Sequence, residues 1–258
     1  MYSMKLFTTL TALSLLAIAS CVHAASPQNP STAPILVELF TSEGCSSCPP
    51  VDQFVQKLDA SQPVPGAQLI VLSEHVDYFN SEGWKDPYSS SLFTERQKSY
   101  DTSMGVTNPY TPQIIINGSI TLPLSDQQKM IDVFKTEEAK PILPIQISAV
   151  TFETTAVHAH ITVNNTDSKE KGDVYVVAAL NSAESQVTSG ENNNRHLTHV
   201  AVVQELVKAG KLQKGKAFDK DVLIKLKAGT NPANIRIIVF IQKSDGGKVL
   251  GSALWKNQ

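Results

Sequence analysis

The sequence lacks a basic block, a second long hydrophobic run and a second pair of closely spaced cysteines. Its 22 Lys and Arg are dispersed among 24 Asp and Glu, which does not favour a nucleic-acid or anionic-membrane partner. No stretch after the first 24 residues approaches the roughly 18 apolar residues of a spanning helix. With 41% hydrophobic and 18% charged residues, the chain is expected to be globular and is long enough for two domains.

The N-terminus has the pattern of a secretory signal. Lys5 precedes a mostly apolar stretch at residues 6–20, and the small residues VHA follow at 22–24. We therefore predict a signal peptide at residues 1–24, a polar tether at 25–34, and a periplasmic or secreted protein. An alternative is lipoprotein processing before Cys21, which would leave a lipid anchor on that residue. Cleavage after Ala24 would leave two cysteines, Cys45 and Cys48, in an oxidising compartment.

Hydrophobic periodicity predicts alternating strands and helices in the first part of the mature chain. The runs ILVELF (35–40) and QLIVLS (68–73) are typical of strands buried on both faces. A helix is predicted after each run, and IIINGSITL contains the Asn-Gly pair of a tight hairpin. A last helix is predicted near residue 130, which gives the order β-α-β-α-β-β-α.

This order, with a C-x-x-C where the first strand meets its helix, resembles the thioredoxin fold. In that fold a cis-proline lies against the cysteine pair, and the resemblance places it at Pro112, after Thr111. The segments VELFTSEGCSSCPPVD, HVDYF, GWKDPYSS, FTERQ and YTPQIIING, and more weakly SGENNNRHLTH, are similar to a family of secreted bacterial proteins of unknown function with a thioredoxin-like domain. That resemblance implies a fold and a redox site but no assigned reaction.

The two cysteines admit three interpretations. At the N-terminus of a helix, the free N–H groups and the helix dipole favour a thiolate, so Cys45 is the candidate nucleophile and Cys48 the resolving thiol. A purely structural disulfide is the second interpretation, although closing so short a loop removes little unfolded-state entropy. A metal site is the third, and it would need further ligands such as His75 and Asp77.

Other residues are candidates for tuning the pair or binding a substrate. The resemblance places Glu38 near the buried acid of thioredoxins, whereas a strand carboxylate paired with Arg or Lys is the alternative. His75 follows the second strand, where it could donate to the thiolate with Asp77 orienting it; a structural histidine is the alternative. The aromatic candidates in predicted loops are Tyr78, Trp84 and Tyr110. With Thr111 they could line a groove for a polypeptide substrate, or they could simply pack against neighbouring side chains.

Beyond Pro141 and Pro144 the pattern changes to strands with a period of two. We predict an α/β thioredoxin-like domain at 35–140, followed by a smaller, mostly antiparallel, sandwich-like β domain at 145–258, and we expect residues 25–140 to fold alone. His158 and His160 share a strand face, as metal ligands can, but a solvated face also accounts for them. The same holds for His196 and His199, and no catalytic group is predicted in this half.

The sequence thus predicts an exported thiol-disulfide oxidoreductase that acts through Cys45 and Cys48 on cysteine-containing polypeptides or a redox partner protein, without a metal or another cofactor. The alternative is a non-catalytic binding module of the cell envelope with a structural or metal-bearing cysteine pair.

Overall fold

The computed structural model of the protein describes residues 32–123, 126–244 and 247–257. The predicted signal peptide, the alternative lipid anchor at Cys21 and most of the predicted tether lie outside the described residues.

The first part of the chain has the order of strands and helices that the periodicity predicts. Its central strand β1 pairs in parallel with β2 on one side and antiparallel with β3 on the other. The elements are β1 (Ala33–Thr41), α1 (Pro49–Ser61), β2 (Ala67–His75), a 3-10 helix (Tyr78–Ser81), α2 (Ser91–Met104), β3 (Gln113–Ile116), β4 (Ile120–Thr121) and α3 (Gln127–Glu138).

Local chemistry sets where these elements begin and end. Pro49 and Pro50 occupy the first turn of α1, where N–H groups have no partner within the helix. The Ser90 side chain accepts a hydrogen bond from Leu92 N–H at 3.2 Å and caps α2. Asn117 and Gly118 both have positive φ, which allows the sharp turn between β3 and β4.

The second part of the chain is built of strands. They are β5 (Ile145–Glu153), β6 (Ala156–Val163), β7 (Gly172–Gln186), β8 (His196–Leu212), β9 (Phe218–Lys225), β10 (Ile235–Gln242) and β11 (Val249–Lys256). Strands β5, β6 and β9 form a three-stranded antiparallel sheet. That sheet packs against β7, β10 and β11, because Val157 and Ile161 share a buried cluster with Ile237 and Trp255.

The two parts of the chain share one sheet of eight strands, in the order β11-β10-β7-β8-β2-β1-β3-β4. Strands β2 and β8 pair in parallel, with Ser73 opposite Val202. Leu36 and Ile70 lie in one buried cluster with Val203 and other side chains of the second part.

The structure therefore differs from the predicted division into independent segments at 35–140 and 145–258. The change of sequence period after Pro141 is real, but it does not separate two hydrophobic cores. Strands β1 and β2 are apolar on both faces and need cover. On one face, side chains of the second part, such as Val203 and Phe240, supply part of that cover by packing in one cluster with Ile70. Independent folding of the first part, which the sequence predicts for residues 25–140, is not expected from this arrangement.

The sheet carries helices on both faces where the cysteines lie. Alternate residues of β1, such as Val37 and Leu39, pack with Val55 of α1 and Phe134 of α3. The intervening positions face the opposite side, where Leu36 packs in one cluster with Phe93 of α2. Strands β1 and β2 end at the same edge, so the loop that follows β1 and His75 at the end of β2 come together there.

Candidate functional site

The loop after β1 presents a disulfide at the N-terminus of α1. Cys45 and Cys48 are bonded, as the sequence predicts, and Cys48 is the N-cap residue directly before α1. The N–H groups of Val51 and Asp52 donate to the carbonyl of Cys48. Cys45 is 2% exposed and Cys48 is fully buried, while the intervening Ser46 and Ser47 are exposed. The pair thus lies at the positive end of a helix dipole, just beneath the surface.

A second loop lies against Cys45. The peptide bond between Thr111 and Pro112 is cis, as the resemblance predicts, and the carbonyl oxygen of Thr111 lies 3.8 Å from Cys45 Sγ. Gln97 of α2 fixes this loop by donating to the carbonyl of Tyr110 at 2.8 Å. Pro112 is 64 residues or more from both cysteines in sequence. The fold nevertheless brings its loop against Cys45.

The turn between β7 and β8 covers the cysteine loop. Asn192 is fully buried, and its side-chain amide donates to the carbonyls of Glu43 at 2.8 Å and Cys45 at 2.9 Å. Glu191 accepts a hydrogen bond from Ser46 N–H at 3.0 Å. These bonds hold the turn over Cys45, and they account for its low exposure.

A buried ionic cluster lies behind the cysteine loop. His199 of β8 lies 3.2 Å from a carboxylate oxygen of Glu43 through Nε2 and 3.6 Å from one of Asp52 through Nδ1. Burial acts to lower the pKa of His199, but the hydrogen bonds and charges of Asp52 and Glu43 outweigh it and raise the pKa to about 9. His199 is therefore a cation at neutral pH, placed between two carboxylates.

His75 belongs to the same cluster. Its Nδ1 lies 2.7 Å from Asp86, and its ring lies edge to face with that of His199 at 4.7 Å between centroids. Burial acts to raise the pKa of Asp86, but the charge and hydrogen bond of His75 outweigh it and lower that pKa. The predicted partner, Asp77, instead accepts a hydrogen bond from Thr94. The proposal that Asp77 orients His75 is therefore wrong.

Glu38 has an Arg partner, which is the alternative that the sequence left open. It accepts hydrogen bonds from Arg96 Nε at 2.8 Å and from the Tyr100 hydroxyl at 2.6 Å. Arg96 also lies 3.3 Å from Glu74, whose pKa burial raises well above its ordinary value. Glu38 projects from the face of β1 that packs against α2, opposite to the face that contacts α1. The structure gives it no contact with the cysteines.

The predicted aromatic residues have different positions. Trp84 is half-buried and donates its indole N–H to Glu43 at 2.8 Å, so it covers the ionic cluster. Tyr110, beside Thr111 and Pro112, is 43% exposed. Tyr78 lies under the same loop and donates to Gln97. Tyr110 and Thr111 thus lie in the loop that contacts Cys45.

The other histidines of the described residues lie at the surface. His158 pairs with Glu153, His160 with Asp219 and Asp221, and His196 with Glu184. Within the described ranges, no group of three or more His, Cys, Asp or Glu side chains is placed to hold a metal ion. The helices in these ranges are too short or too polar to cross a membrane.

Sequence reasoning missed several residues of the site. Their positions in the family-like segments were the available signal, because each lies in a segment that carries the resemblance. Those residues are Glu43, Asp52, Asp86 and Asn192, while His199, which the strand pattern assigned to a solvated face or a metal site, is instead buried between two acids. Their spacing alone indicated nothing, since the last two lie more than 140 residues after Cys45.

Comparison with known proteins adds a family but no reaction. A family described as "Protein of unknown function (DUF1223)" matches residues 36–242. A crystal structure of a protein from Agrobacterium tumefaciens is 25% identical, with a TM-score of 0.67, and the match covers 88% of this chain and 96% of that one. β-Glucosidase 3B from Thermotoga neapolitana is 13% identical with a TM-score of 0.26, over 82% of this chain and 24% of its own, which is too low to support an argument. No curated protein matches.

Proposed function

Because the chain belongs to the DUF1223 family, whose function is unknown, its activity must be inferred from its own site, and we propose that it is a thiol-disulfide oxidoreductase with a thioredoxin-like active site. One observation carries this proposal: the Cys45–Cys48 disulfide lies at a helix N-terminus with the cis Thr111–Pro112 loop against Cys45 Sγ. A structural staple requires neither the helix N-terminus nor the second loop.

In the proposed reaction, the Cys45 thiolate attacks a disulfide of a polypeptide substrate and forms a mixed disulfide. Cys48 then attacks Cys45, releases the substrate as a thiol, and closes the internal disulfide. The reverse sequence oxidises a substrate dithiol. The same pair serves both directions, and the substrate chain is proposed to lie along Tyr110 and Thr111. We propose that the protein is exported and that its partner proteins set the direction of electron transfer.

The burial of Cys45 supports a second candidate function. Because Asn192 and Glu191 hold the β7–β8 turn over the cysteine loop, the disulfide could be a permanent part of an envelope binding module. Such a module would not turn over. The oxidoreductase proposal requires that the β7–β8 turn moves away from Cys45 when a substrate binds. The alternative requires that the turn stays in place.

The reactivity of Cys45 separates the two functions. In a reduced Cys48→Ala variant, Cys45 should react with a small aromatic disulfide in the folded protein, and the pH dependence of the rate should give a thiol pKa below the ordinary value of about 8.5. The helix N-terminus is the physical cause. A Cys45→Ser variant is the control. No reaction in the folded state, or a pKa at or above the ordinary value, would favour the binding module.

A further inference from the structure

Access to Cys45 is limited by the groups that surround its sulfur. Cys45 is 2% exposed, although Ser46 and Ser47 directly after it are exposed. Its Sγ lies 3.3 Å from the Ser47 hydroxyl and 3.8 Å from the Thr111 carbonyl oxygen. Thiol-disulfide exchange requires a thiolate to attack a sulfur directly. Part of the surrounding structure must therefore move before Cys45 reacts.

The β7–β8 turn, residues 187–195, is the surrounding element with the least hydrophobic attachment. Its residues 188–194 read TSGENNN and include no hydrophobic residue, so their release exposes no hydrophobic side chain of their own. The other two elements are anchored more firmly. The Thr111 loop is fixed by the fully buried Gln97, and α1 packs in the core through Val55 and Leu58.

Two side chains of the turn hold the peptide group between Cys45 and Ser46. The Asn192 amide donates to the Cys45 carbonyl at 2.9 Å, and Glu191 accepts from Ser46 N–H at 3.0 Å. The C=O and N–H of a trans peptide group point in opposite directions, so this group is held from both sides. Asn192 also donates to the Glu43 carbonyl at 2.8 Å. The backbone that carries Cys45 is thus fixed while the turn is closed.

The turn has a second attachment, to the loop that carries Trp84. The Ser189 hydroxyl donates to the Gly83 carbonyl at 2.5 Å. Gly190 has a φ of 72°, and a Cβ atom at this position would lie 3.1 Å from Trp84 Cβ. Only a glycine allows this close approach together with the left-handed backbone.

The base of the turn is held independently of these contacts. Val187 is fully buried, its N–H donates to the Arg195 carbonyl at 3.0 Å, and its carbonyl accepts from Asn194 N–H at 2.9 Å. The Arg195 guanidinium donates to Asn192 Oδ1 at 2.9 Å, which ties Asn192 to its own turn. Residues 188–194 can therefore leave the cysteine loop as a unit while their ends stay in place.

We propose that residues 188–194 form an autoinhibitory cover over Cys45, with Asn192 as its latch, and that the fraction of molecules with an open cover sets the rate at which Cys45 reacts. This inference rests on the function proposed above. Asn192 is a positioning residue, since it contacts the backbone of Cys45 and not its sulfur. In the open state, water replaces the bonds from Asn192 and Glu191, and Cys45 is accessible to a substrate.

The two latch contacts should not contribute equally. Exchange of a protein hydrogen bond for one to water has a small net cost, so opening costs far less than global unfolding. Asn192 is fully buried and makes two bonds to the loop, whereas Glu191 is exposed and makes its bond to Ser46 at the surface. Asn192 should therefore dominate the closed state.

Reduction of the native disulfide by dithiothreitol measures the opening. The reductant's thiolate bonds to Cys45 Sγ, and Cys48 leaves as a thiolate. The second thiol of the reductant then closes a cyclic disulfide and releases Cys45, so two electrons pass to the protein. Samples are quenched with acid, alkylated and analysed by mass. Asn192→Ala should accelerate reduction by about 10- to 100-fold, because two buried hydrogen bonds of the closed state are lost.

Asn193→Ala is the matched control. Asn193 is the next residue in the same turn and is exposed, so its replacement should change the rate by less than about twofold. Glu191→Ala should accelerate reduction by only about 2- to 5-fold, since its bond is exposed. If Asn192→Ala is reduced no faster than Asn193→Ala, then the turn does not control access to Cys45 and the inference is overturned.

A measurement on the wild-type protein applies even if Asn192→Ala does not fold. Local opening exposes little surface, so the rate of reduction should be nearly constant at urea concentrations well below the unfolding transition. A rate that instead rises with the unfolded fraction from the lowest urea concentration would mean that Cys45 reacts only after global unfolding. That result would overturn the cover.

These measurements separate the cover from the proposed function. Faster reduction of Asn192→Ala supports the cover whether or not the protein acts on polypeptides. If that result is obtained but a Cys48→Ala variant forms no mixed disulfides, the oxidoreductase proposal is overturned and the cover only shields a structural disulfide. If mixed disulfides form but Asn192→Ala has no effect on reduction, the proposed function stands and this inference alone is overturned.

Discussion

A Cys48→Ala variant should accumulate substrates as mixed disulfides on Cys45, at about tenfold or more the level of wild type. In the proposed reaction, Cys48 is a neighbouring group that resolves the mixed disulfide, and an intramolecular thiol reacts far faster than a free one. Removing it leaves the substrate attached. We propose Cys45 as the attacking residue because it lies against the Thr111–Pro112 loop and beside the exposed Ser46 and Ser47.

The reciprocal variant provides the comparison. Cys45→Ala should trap few partners, because Cys48 is fully buried beneath the loop. Cysteine-linked complexes would be extracted from cells that carry each variant, after rapid alkylation of free thiols, and resolved with and without reductant. Equal trapping by wild type and Cys48→Ala, under both oxidising and reducing growth, would support the binding module.

Replacing Arg96 by Met should destabilise the protein by about 3–5 kcal/mol, the usual cost of breaking a buried ion pair by removing one partner. Arg96 is the cation that faces the fully buried carboxylates of Glu38 and Glu74. Its guanidinium also lies over the rings of Tyr100 and Phe240. Without it, two buried acids would have to be neutralised or exposed.

Urea unfolding followed by circular dichroism measures this loss. Lys98→Met is the matched control, since Lys98 lies two residues further along α2 and its ion pair with Glu95 is exposed on both sides; it should change stability little. Adding Glu38→Gln to the Arg96→Met variant should recover part of the loss, because one buried charge disappears. If Arg96→Met costs no more than Lys98→Met, then Arg96 does not hold the two acids in the way that the structure indicates.

Local patterns in the sequence were sufficient for the first part of the fold. The apolar runs at 35–40 and 68–73 became β1 and β2, and the Asn117-Gly118 pair marked the turn between β3 and β4. The cysteine pair and the position of Pro112 could be read from short motifs. Each of these features depends on residues that are close in sequence.

The features that the sequence did not predict depend on distant pairings. The parallel pairing of β2 with β8, with Ser73 opposite Val202, produces no periodic pattern in the sequence, because apolar strands of this kind can pair with many partners. That alignment brings His199 to Asp52 and Asn192 to Cys45. A histidine in an alternating strand has the same local pattern whether it is exposed, like His196, or buried between two acids, like His199.

The environment of Glu38, for which the sequence left two interpretations open, has a related cause. The resemblance placed Glu38 near the cysteines by its position along β1, but side chains at alternate strand positions face opposite sides of the sheet. Glu38 faces α2 and Arg96, whereas Asp52, which sequence reasoning passed over, lies in the first turn of α1 and pairs with His199. The position of a residue along a strand or a helix determines the face on which its side chain lies, and therefore the groups that it can contact.

The reduction potential of the Cys45–Cys48 pair tests the central claim most directly. The mature protein would be equilibrated in glutathione buffers of graded ratio, alkylated, and the oxidised fraction read by mass. We expect a single two-electron transition between about −270 and −120 mV, the range of catalytic dithiols. A potential below about −300 mV, which is typical of structural disulfides, would contradict the oxidoreductase account.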